Sequence, residues 1–220
     1  MNTYDTPAPI TAVVDIPAGR VQVIAADRAD TAVEVLPADA SKGRDVKAAE
    51  QVTVDYADGV LRIQYSAKNQ LLGASGAVEV TVQLPTGSQV EAKAASAEFR
   101  AVGKLGAVAF EGAYDQIKID EVAGLRLTAF DGDVEVGRLN GSAEISTQRG
   151  DIRVAEAVSG TVVLSAQSGD ISVGVAAGVS AALDAGTSYG RVSNSLKNDG
   201  AIDLNIQATT GQGDITARSL

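Results

Sequence analysis

The sequence lacks cysteine, histidine and tryptophan, and it has only five tyrosines and three phenylalanines among 220 residues. Without histidine there is no imidazole to act as a general base, to complete a Ser-His-Asp triad or to ligate a metal. Without cysteine there is no thiol nucleophile, zinc knuckle, iron–sulfur cluster or disulfide. So few aromatic side chains do not make a platform on which nucleic-acid bases stack. These absences exclude many kinds of chemistry, so the sequence indicates the fold of the protein better than its biochemical role.

Charge and hydropathy limit the possible partners and location of the protein further. The formal net charge is −10 and the basic residues are scattered along the chain, so we expect no phosphate-tracking surface and no nucleic-acid partner. The first 13 residues lack the basic start and apolar run of a signal peptide. No stretch approaches the roughly 18 apolar residues of a membrane span. We expect a cytoplasmic protein that does not insert into membranes, or a cell-surface protein if a leader has been removed.

A short phrase recurs along the second half of the chain: a glycine, a charged residue and then a β-branched residue. The clearest copies are DGDVEV, RGDIRV, SGDISV, YGRVSN and QGDITA. The apolar residue after each turn recurs every 17 to 23 residues, at Phe99, Ile117, Val134, Ile152, Ile171, Val192 and Ile215. A second apolar column lies seven residues earlier in five copies and nine earlier in the last two, at Ala92, Phe110, Leu127, Ile145, Leu164, Leu183 and Ile206.

Apolar residues alternate within each copy, as in Ile152 and Val154, and period two is typical of a strand with one buried face. No helical stretch separates the copies. The repeat therefore predicts an all-β fold, a parallel β-solenoid similar to a β-helix, with about seven coils within residues 91–220 stacked about 4.8 Å apart.

The first 90 residues differ from the repeat. They contain six strand-like runs, a hairpin signal at Asp58-Gly59, one helical segment within 41–51 with Ser41 as a candidate N-cap, and a loop at 66–77. The sequence predicts that residues 1–90 form a β-rich region that caps the N-terminal end of the solenoid.

Several segments resemble a bacterial family of candidate adhesins of unknown function with β-strand repeats. They are the opening YDTPAPITAVVDIPAGRVQVIAADRADTAVEV, the join VTVQLPTGSQVEAKAASAEFRA, the GD[IV] phrases and the closing YGRVSNSL. The resemblance covers nearly the whole chain and implies a β-repeat fold without a catalytic signature. Glu98, Gln116 and Arg191 stand where the repeat has aspartate.

The repeat places Asp133, Asp151 and Asp170 on consecutive coils, where like charges would repel. Calcium ions could compensate the charge, because calcium binds carboxylate oxygens. The alternative is that each aspartate accepts hydrogen bonds from backbone amides of its turn. We favour the alternative because Arg191 interrupts the column before Asp214, and we expect neither a metal nor another cofactor.

Two carboxylate pairs could serve as the acid and base of a carbohydrate enzyme. They are Asp131 with Asp133, and Asp120 with Glu121. Charged residues on an outer strand face more often form a solvated surface, so we predict no catalytic residues.

Only five residues follow Ile215, so we expect the last coil to present an open strand edge, and open edges pair with other chains. Alternatively, the segment Lys197–Asp203 folds over this end, or Arg218 protects it by its charge. The candidate interaction residues are Gly213, Asp214, Ile215, Thr216, Ala217 and Arg218.

We interpret the chain as a non-enzymatic structural or interaction protein. It forms homo-oligomers by end-to-end strand pairing or binds a protein partner. An adhesin-like module that binds a surface or polysaccharide ligand is the second hypothesis, and a carboxylate-dependent carbohydrate enzyme is the third.

Overall fold

The computed structural model describes residues 1–66, 76–112 and 116–220. The chain forms two compact units, Met1–Tyr114 and Asp115–Leu220. Strands dominate both units, and α1 (Gly43–Glu50) is the one helix within the described ranges. The predicted all-β class is therefore confirmed. The predicted domain boundary near residue 90 falls inside the first unit, and most of the predicted loop at 66–77 lies outside the described residues.

The described parts of the chain contain seventeen strands. Those of the first unit are β1 (Asn2–Asp5), β2 (Thr11–Ala26), β3 (Asp30–Pro37), β4 (Val52–Ala57), β5 (Val60–Tyr65), β6 (Val78–Pro85) and β7 (Gln89–Gly112). Those of the second unit are β8 (Ile117–Asp131), β9 (Val134–Leu139), β10 (Ala143–Arg149), β11 (Ile152–Ala157), β12 (Gly160–Ser168), β13 (Ile171–Val175), β14 (Ala181–Tyr189), β15 (Val192–Ser195), β16 (Leu204–Gln212) and β17 (Ile215–Ser219).

Parallel stacking begins in the first unit, at β2. The first half of β2 pairs in parallel with β5 and with the start of β7, and its second half pairs with β6 and with the middle of β7. Phe99 lies opposite Val21, and its ring centroid lies 4.8 Å from that of Phe110. The parallel register therefore starts 80 residues before residue 91, where the solenoid was predicted to begin.

Antiparallel strands complete the first unit. Strand β3 pairs with β6, β1 pairs with β3, and β4 pairs with β5. The turn between β4 and β5 is the predicted Asp58-Gly59 hairpin, where φ is 52° and 77°. Asparagine, aspartate and glycine tolerate this left-handed backbone better than other residues. The ring centroids of Tyr4 and Tyr56 lie 5.3 Å apart.

The helix is where it was predicted, but its predicted N-cap is wrong. The N-cap is Lys42, and it makes no side-chain capping hydrogen bond. The hydroxyl and the backbone N–H of Ser41 instead donate to Asp39 Oδ1, at 2.6 and 2.9 Å. These bonds, the hydroxyl's first, hold the pKa of Asp39 down at about 2. A neighbouring carboxylate thus competes successfully for the hydroxyl that would have capped the helix.

Two stacks of parallel strands make up the second unit. The first stack runs in space through residues 117–122, β9, β11, β13, β17 and β15. The second stack runs through residues 125–131, β10, β12, β16 and β14. We call one strand of each stack, joined by a Gly-containing turn, a coil. Ile152 lies opposite both Val134 and Ile171, so the predicted superposition of these three residues is confirmed.

The spatial order of the coils departs from their order in the chain. Strands β16 and β17 lie between β12–β13 on one side and β14–β15 on the other. Ile215 is therefore opposite both Ile171 and Val192. The prediction that the last coil of the sequence presents an open strand edge is wrong. A sequence period sets the length of each coil, but it does not specify which coils are neighbours.

The second apolar column also needs correction in its last two copies. Ala208 lies opposite Leu164 and Ala185 lies opposite Ala208, whereas the sequence predicted Ile206 and Leu183 at these positions. With the two alanines, the spacing to the first column is seven residues in every copy. Strands β14 and β16, which precede these two turns, are therefore longer than predicted. The turns themselves are not longer than in the other copies. The larger side chains of Ile206 and Leu183 were wrongly taken to mark the column.

Ion pairs join neighbouring coils on the outer faces of the second unit. They are Lys118–Glu135 at 3.2 Å, Arg126–Glu144 at 3.4 Å and Arg138–Glu156 at 2.5 Å. Each pair is at least partly exposed to solvent and contributes about 0–1 kcal/mol. No helix among the residues that the structure describes is long and apolar enough to cross a membrane.

We predict that Ile152→Ala lowers the free energy of unfolding by about 2–5 kcal/mol, because it leaves a cavity in the column between Val134 and Ile171. Ile152 is 0% exposed. Chemical denaturation with a spectroscopic readout measures the change. The matched control is Ser172→Ala on the outer face, for which we expect a change within about 0.5 kcal/mol. Equal effects of the two substitutions would contradict a shared interior column.

Candidate functional site

Aspartates at the turns of the second unit form a continuous hydrogen-bonded column, which we call the Asp column: Asp133, Asp151, Asp170 and Asp214. The N–H of Asp151 donates to Asp133 Oδ1 at 2.8 Å, and the N–H of Asp170 donates to Asp151 Oδ1 at 2.7 Å. The N–H of Asp214 donates to Asp170 Oδ1 at 2.7 Å. Each carboxylate thus accepts an amide of the neighbouring coil, where the sequence had suggested an amide of its own turn.

A glycine before each aspartate permits this close stacking. At Gly150 φ is +126°, and a Cβ atom there would lie 2.2 Å from the carbonyl oxygen of Gly132. A side chain would therefore meet backbone and would also strain the main chain. The Gly-Asp pair recurs because both residues are needed: glycine for the approach of the coils and aspartate for the amide of the next coil.

The Asp column is not interrupted by Arg191, contrary to the prediction. Because β15 lies beyond β17 in space, Arg191 stands at the end of the column, next to Asp214. The N–H of Arg191 donates to Asp214 Oδ1 at 2.8 Å, and its guanidinium donates to Oδ2 at 3.1 Å. These contacts, the backbone N–H first, lower the pKa of Asp214 below its usual 3.8. A column of four carboxylates ends in a cation.

The structure gives the calcium hypothesis no cluster of ligands. Within the described ranges, no group of three or more histidine, cysteine, aspartate or glutamate side chains could hold a metal ion. In the Asp column, one oxygen of each carboxylate is already bonded to an amide. A groove of about 130 Å³ is lined by three of these carboxylates and also by Arg153, Ser172 and Thr216.

The residues of the proposed carboxylate pairs bond to other groups. Asp131 accepts a hydrogen bond of 2.6 Å from the guanidinium of Arg149 on the neighbouring coil. Glu121 accepts one of 2.8 Å from the side-chain amide of Asn140. Asp133 belongs to the Asp column. These contacts join neighbouring coils.

The predicted interaction residues Gly213–Arg218 lie in β17 and the turn before it. Strand β17 has β13 on one side and β15 on the other. Ile215 and Ala217 are each 1% exposed. Whether these residues contact a partner stays a prediction, but the argument from an open edge does not apply to them.

The open edge lies instead at the coil formed by β14 and β15, which we call the edge coil. Among the described residues, β14 pairs only with β16, and β15 pairs only with β17. Its inward-facing Val192, in the column of Ile215 and Ile171, is accordingly 45% exposed. Tyr189, in register with Gln212, is 75% exposed. Sequence reasoning missed this site because it took the end of the chain for the end of the stack.

Backbone donors at the edge coil are also unmatched. The N–H of Ile171 donates to the carbonyl of Asp214, and the N–H of Ile215 donates to the carbonyl of Arg191. The corresponding donor of the edge coil is the N–H of Val192, which has no further coil among the described residues to receive it. Unpaired donors on a strand edge attract another strand.

The segment between β15 and β16 covers one corner of the edge coil. The carbonyl of Lys197 accepts the N–H of Ala181 at 3.0 Å, and the N–H of Asp199 donates to the hydroxyl of Ser180 at 3.1 Å. Ala181 is 2% exposed as a result. The alternative had placed Lys197–Asp203 over the coil of Ile215, whereas the structure places Lys197 and Asp199 against Ala181 and Ser180 at the start of β14.

The fold and this site define a class: proteins made of stacked parallel β-strands with aspartate-bearing turns. The comparison with family models agrees with that class. Residues 13–219 match the family described as Toastrack DUF4097, and the chain belongs to this family. The resemblance to an adhesin-like family of unknown function, inferred from the sequence, is thereby confirmed.

Two solved structures are similar to this chain, and the first of them shares its fold. A candidate adhesin from Bacteroides fragilis NCTC 9343 is 15% identical and has a TM-score of 0.57, with 98% of this chain and 95% of that chain covered. A candidate cell adhesion protein from Clostridium sporogenes ATCC 15579 is 12% identical and has a TM-score of 0.39, with 100% and 98% covered. No curated protein matches the sequence.

We predict that Asp214 contributes to acid sensitivity. Its pKa is lower in the folded chain than the usual 3.8, so its carboxylate stabilises the fold above about pH 3.8, and this contribution is lost as the pH falls through the folded-state pKa. Thermal melting from pH 6 to pH 2 should therefore show a smaller acid-induced loss in Asp214→Asn than in the wild type.

The control for this experiment is Arg191→Ala, which removes the guanidinium but keeps the backbone N–H. Because that N–H is the larger cause of the lowered pKa, Arg191→Ala should retain most of the acid dependence. An acid-induced loss in Asp214→Asn as large as in the wild type would contradict the assignment.

Proposed function

We propose that the chain is a non-enzymatic interaction module, a parallel β-solenoid of about seven coils that binds a strand of another protein chain through its edge coil. The observation that carries this proposal is the exposure of interior positions there. Val192 is 45% exposed, whereas Ile171 and Ile215 in the same column are 1% exposed. An apolar column that is buried in the neighbouring coils and exposed to solvent at one end is typical of a surface that becomes buried on association.

The charged groups support a structural use of the outer faces. In the second unit, carboxylates of the Asp column accept backbone amides. Other carboxylates pair with a cation on the neighbouring coil, as Glu135 does with Lys118 and Glu144 with Arg126. Groups with such partners hold coils in register. The proposal of a non-enzymatic role is further supported by the candidate acid–base residues Asp131, Asp133 and Glu121, which also bond to groups of the neighbouring coil.

An adhesin-like role is the second candidate, with a surface or polysaccharide as the ligand. The groove beside the Asp column favours it, because Asp151, Ser172 and Thr216 present oxygen atoms and Arg153 presents donors along one shallow channel. Hydroxyl-rich ligands are recognised by such mixed donors and acceptors. The Bacteroides fragilis structure, named as a candidate adhesin, shares the fold. Isothermal titration with soluble polysaccharides tests this role, and heats that Arg153→Ala and Ser172→Ala both abolish would support it.

We predict that a photo-crosslinking amino acid at Tyr189 captures a protein partner in the native cells. Tyr189 is 75% exposed and flanks the unpaired strands, so a bound strand would lie within reach of its ring position. The matched site is Leu36, which is 47% exposed and belongs to β3 in the first unit. A covalent protein adduct should form at position 189 and not at position 36.

Two further variants locate the contact. Val192→Lys places a charge in the interior column of the edge coil and should abolish the adduct at position 189. Ser193→Lys places the same charge on the outer face of the same strand and should leave the adduct intact. If no adduct forms at position 189, or if both lysine variants act alike, the edge coil is not the interaction surface.

A further inference from the structure

We propose that the strand bound by the edge coil is the edge coil of a second copy, related by a two-fold axis that sets β14 antiparallel to β14 of that copy. This rests on the proposed function and names the partner of the same surface. The axis passes through Ala185, the midpoint of β14, so that residues 182–188 of the two strands pair and the covered Ala181 lies outside the pairing. Two-fold pairing uses one surface twice and closes on itself, so it ends in a dimer.

The charge of the edge coil is compatible with a second copy as its partner. The whole chain carries a formal net charge of −10, which opposes association of two copies. Residues 181–195 contain one acidic residue, Asp184, and one basic residue, Arg191, and so are neutral. The edge coil is a neutral part of the acidic chain, so a second copy meets less like-charge repulsion there than the net charge of the whole chain would impose.

The sequence of β14 is compatible with antiparallel pairing to β14 of a second copy. Pairing about Ala185 sets alanine against alanine at the centre and keeps inward-facing residues against inward-facing ones, because the pairing preserves the period of two. Leu183 then lies opposite Thr187 of the second copy. Asp184 lies opposite Gly186, where nothing lies within 4 Å of an added Cβ, so the two Asp184 carboxylates are not directly opposed.

The Asp column argues against a parallel continuation. In the second unit, each new coil places a turn amide on the carboxylate of the coil before it, as Asp214 does on Asp170. The edge coil has Arg191 at this position, with its guanidinium on Asp214. A further parallel coil would find a cation where its amide needs an acceptor. An antiparallel partner does not require that acceptor.

Single cysteines test the geometry, because the native chain has none. Directly opposed residues of antiparallel strands have Cα atoms about 4.5–5.5 Å apart, within the range that a disulfide spans. Under mild oxidation, purified Ala185→Cys should therefore form a covalent dimer at low micromolar concentration. The matched control is Thr128→Cys, an exposed residue of β8, which should stay largely monomeric.

Light scattering coupled to size exclusion gives the association state of the unmodified chain. The expected mass is about twice the 22.3 kDa of one chain. Val192→Lys should reduce it to one chain, and Ser193→Lys should leave it unchanged. Circular dichroism spectra equal to the wild type establish that each variant is folded.

The outcomes separate this inference from the proposed function. A dimer that Val192→Lys dissociates and Ala185→Cys crosslinks supports the inference. A monomer at every concentration overturns it, and so does a dimer that Ala185→Cys crosslinks no better than Thr128→Cys does. If the purified chain is a monomer while the adduct at position 189 contains a different protein, the proposed function stands and the second copy is excluded. If the adduct is also absent, both fail.

Discussion

The second unit depends on the in-register stacking of parallel coils. Each coil offers a few aliphatic side chains to the interior, too few to order it alone. Stacking provides what a single coil lacks: backbone hydrogen bonds to both neighbours and a continuous interior column, such as Val134, Ile152 and Ile171. Every inner coil is therefore stabilised from two sides. A coil with one neighbour is the natural place for a contact outside the chain.

The Asp column shows how one residue type sets the register of the coils. A carboxylate that accepts an amide of the next coil fixes the position of that coil. The glycine beside it lets the two backbones approach, as the 2.2 Å between a Cβ at Gly150 and the Gly132 oxygen indicates. The column ends where an arginine replaces aspartate, so the same position that propagates stacking also terminates it.

Local pattern made much of the fold predictable. Alternation of apolar residues gave the strands, Asp58-Gly59 gave the hairpin, and the Gly-Asp phrase gave the superposition of Ile152 on its neighbours. The order of the coils was not predictable, because β14 and β16 have equivalent patterns and nothing in their spacing says which one lies against β12. Because the candidate site lies at the end of the stack, the observed order of coils places it at Val192 and not at Ile215, where it was predicted. The alanines at 185 and 208 were missed because small, weakly hydrophobic residues are hard to recognise as members of an apolar column.

Amide hydrogen exchange, at a dilution where the chain is monomeric, tests the order of the coils most directly. The account predicts that the amides of Gly213 and Ile215 are as protected as those of Gly169 and Ile171, since the N–H groups of all four donate to a neighbouring coil. The amide of Val192 should exchange much faster. Fast exchange at Ile215 together with strong protection at Val192 would contradict the insertion of the C-terminal strands and, with it, the location of the open edge.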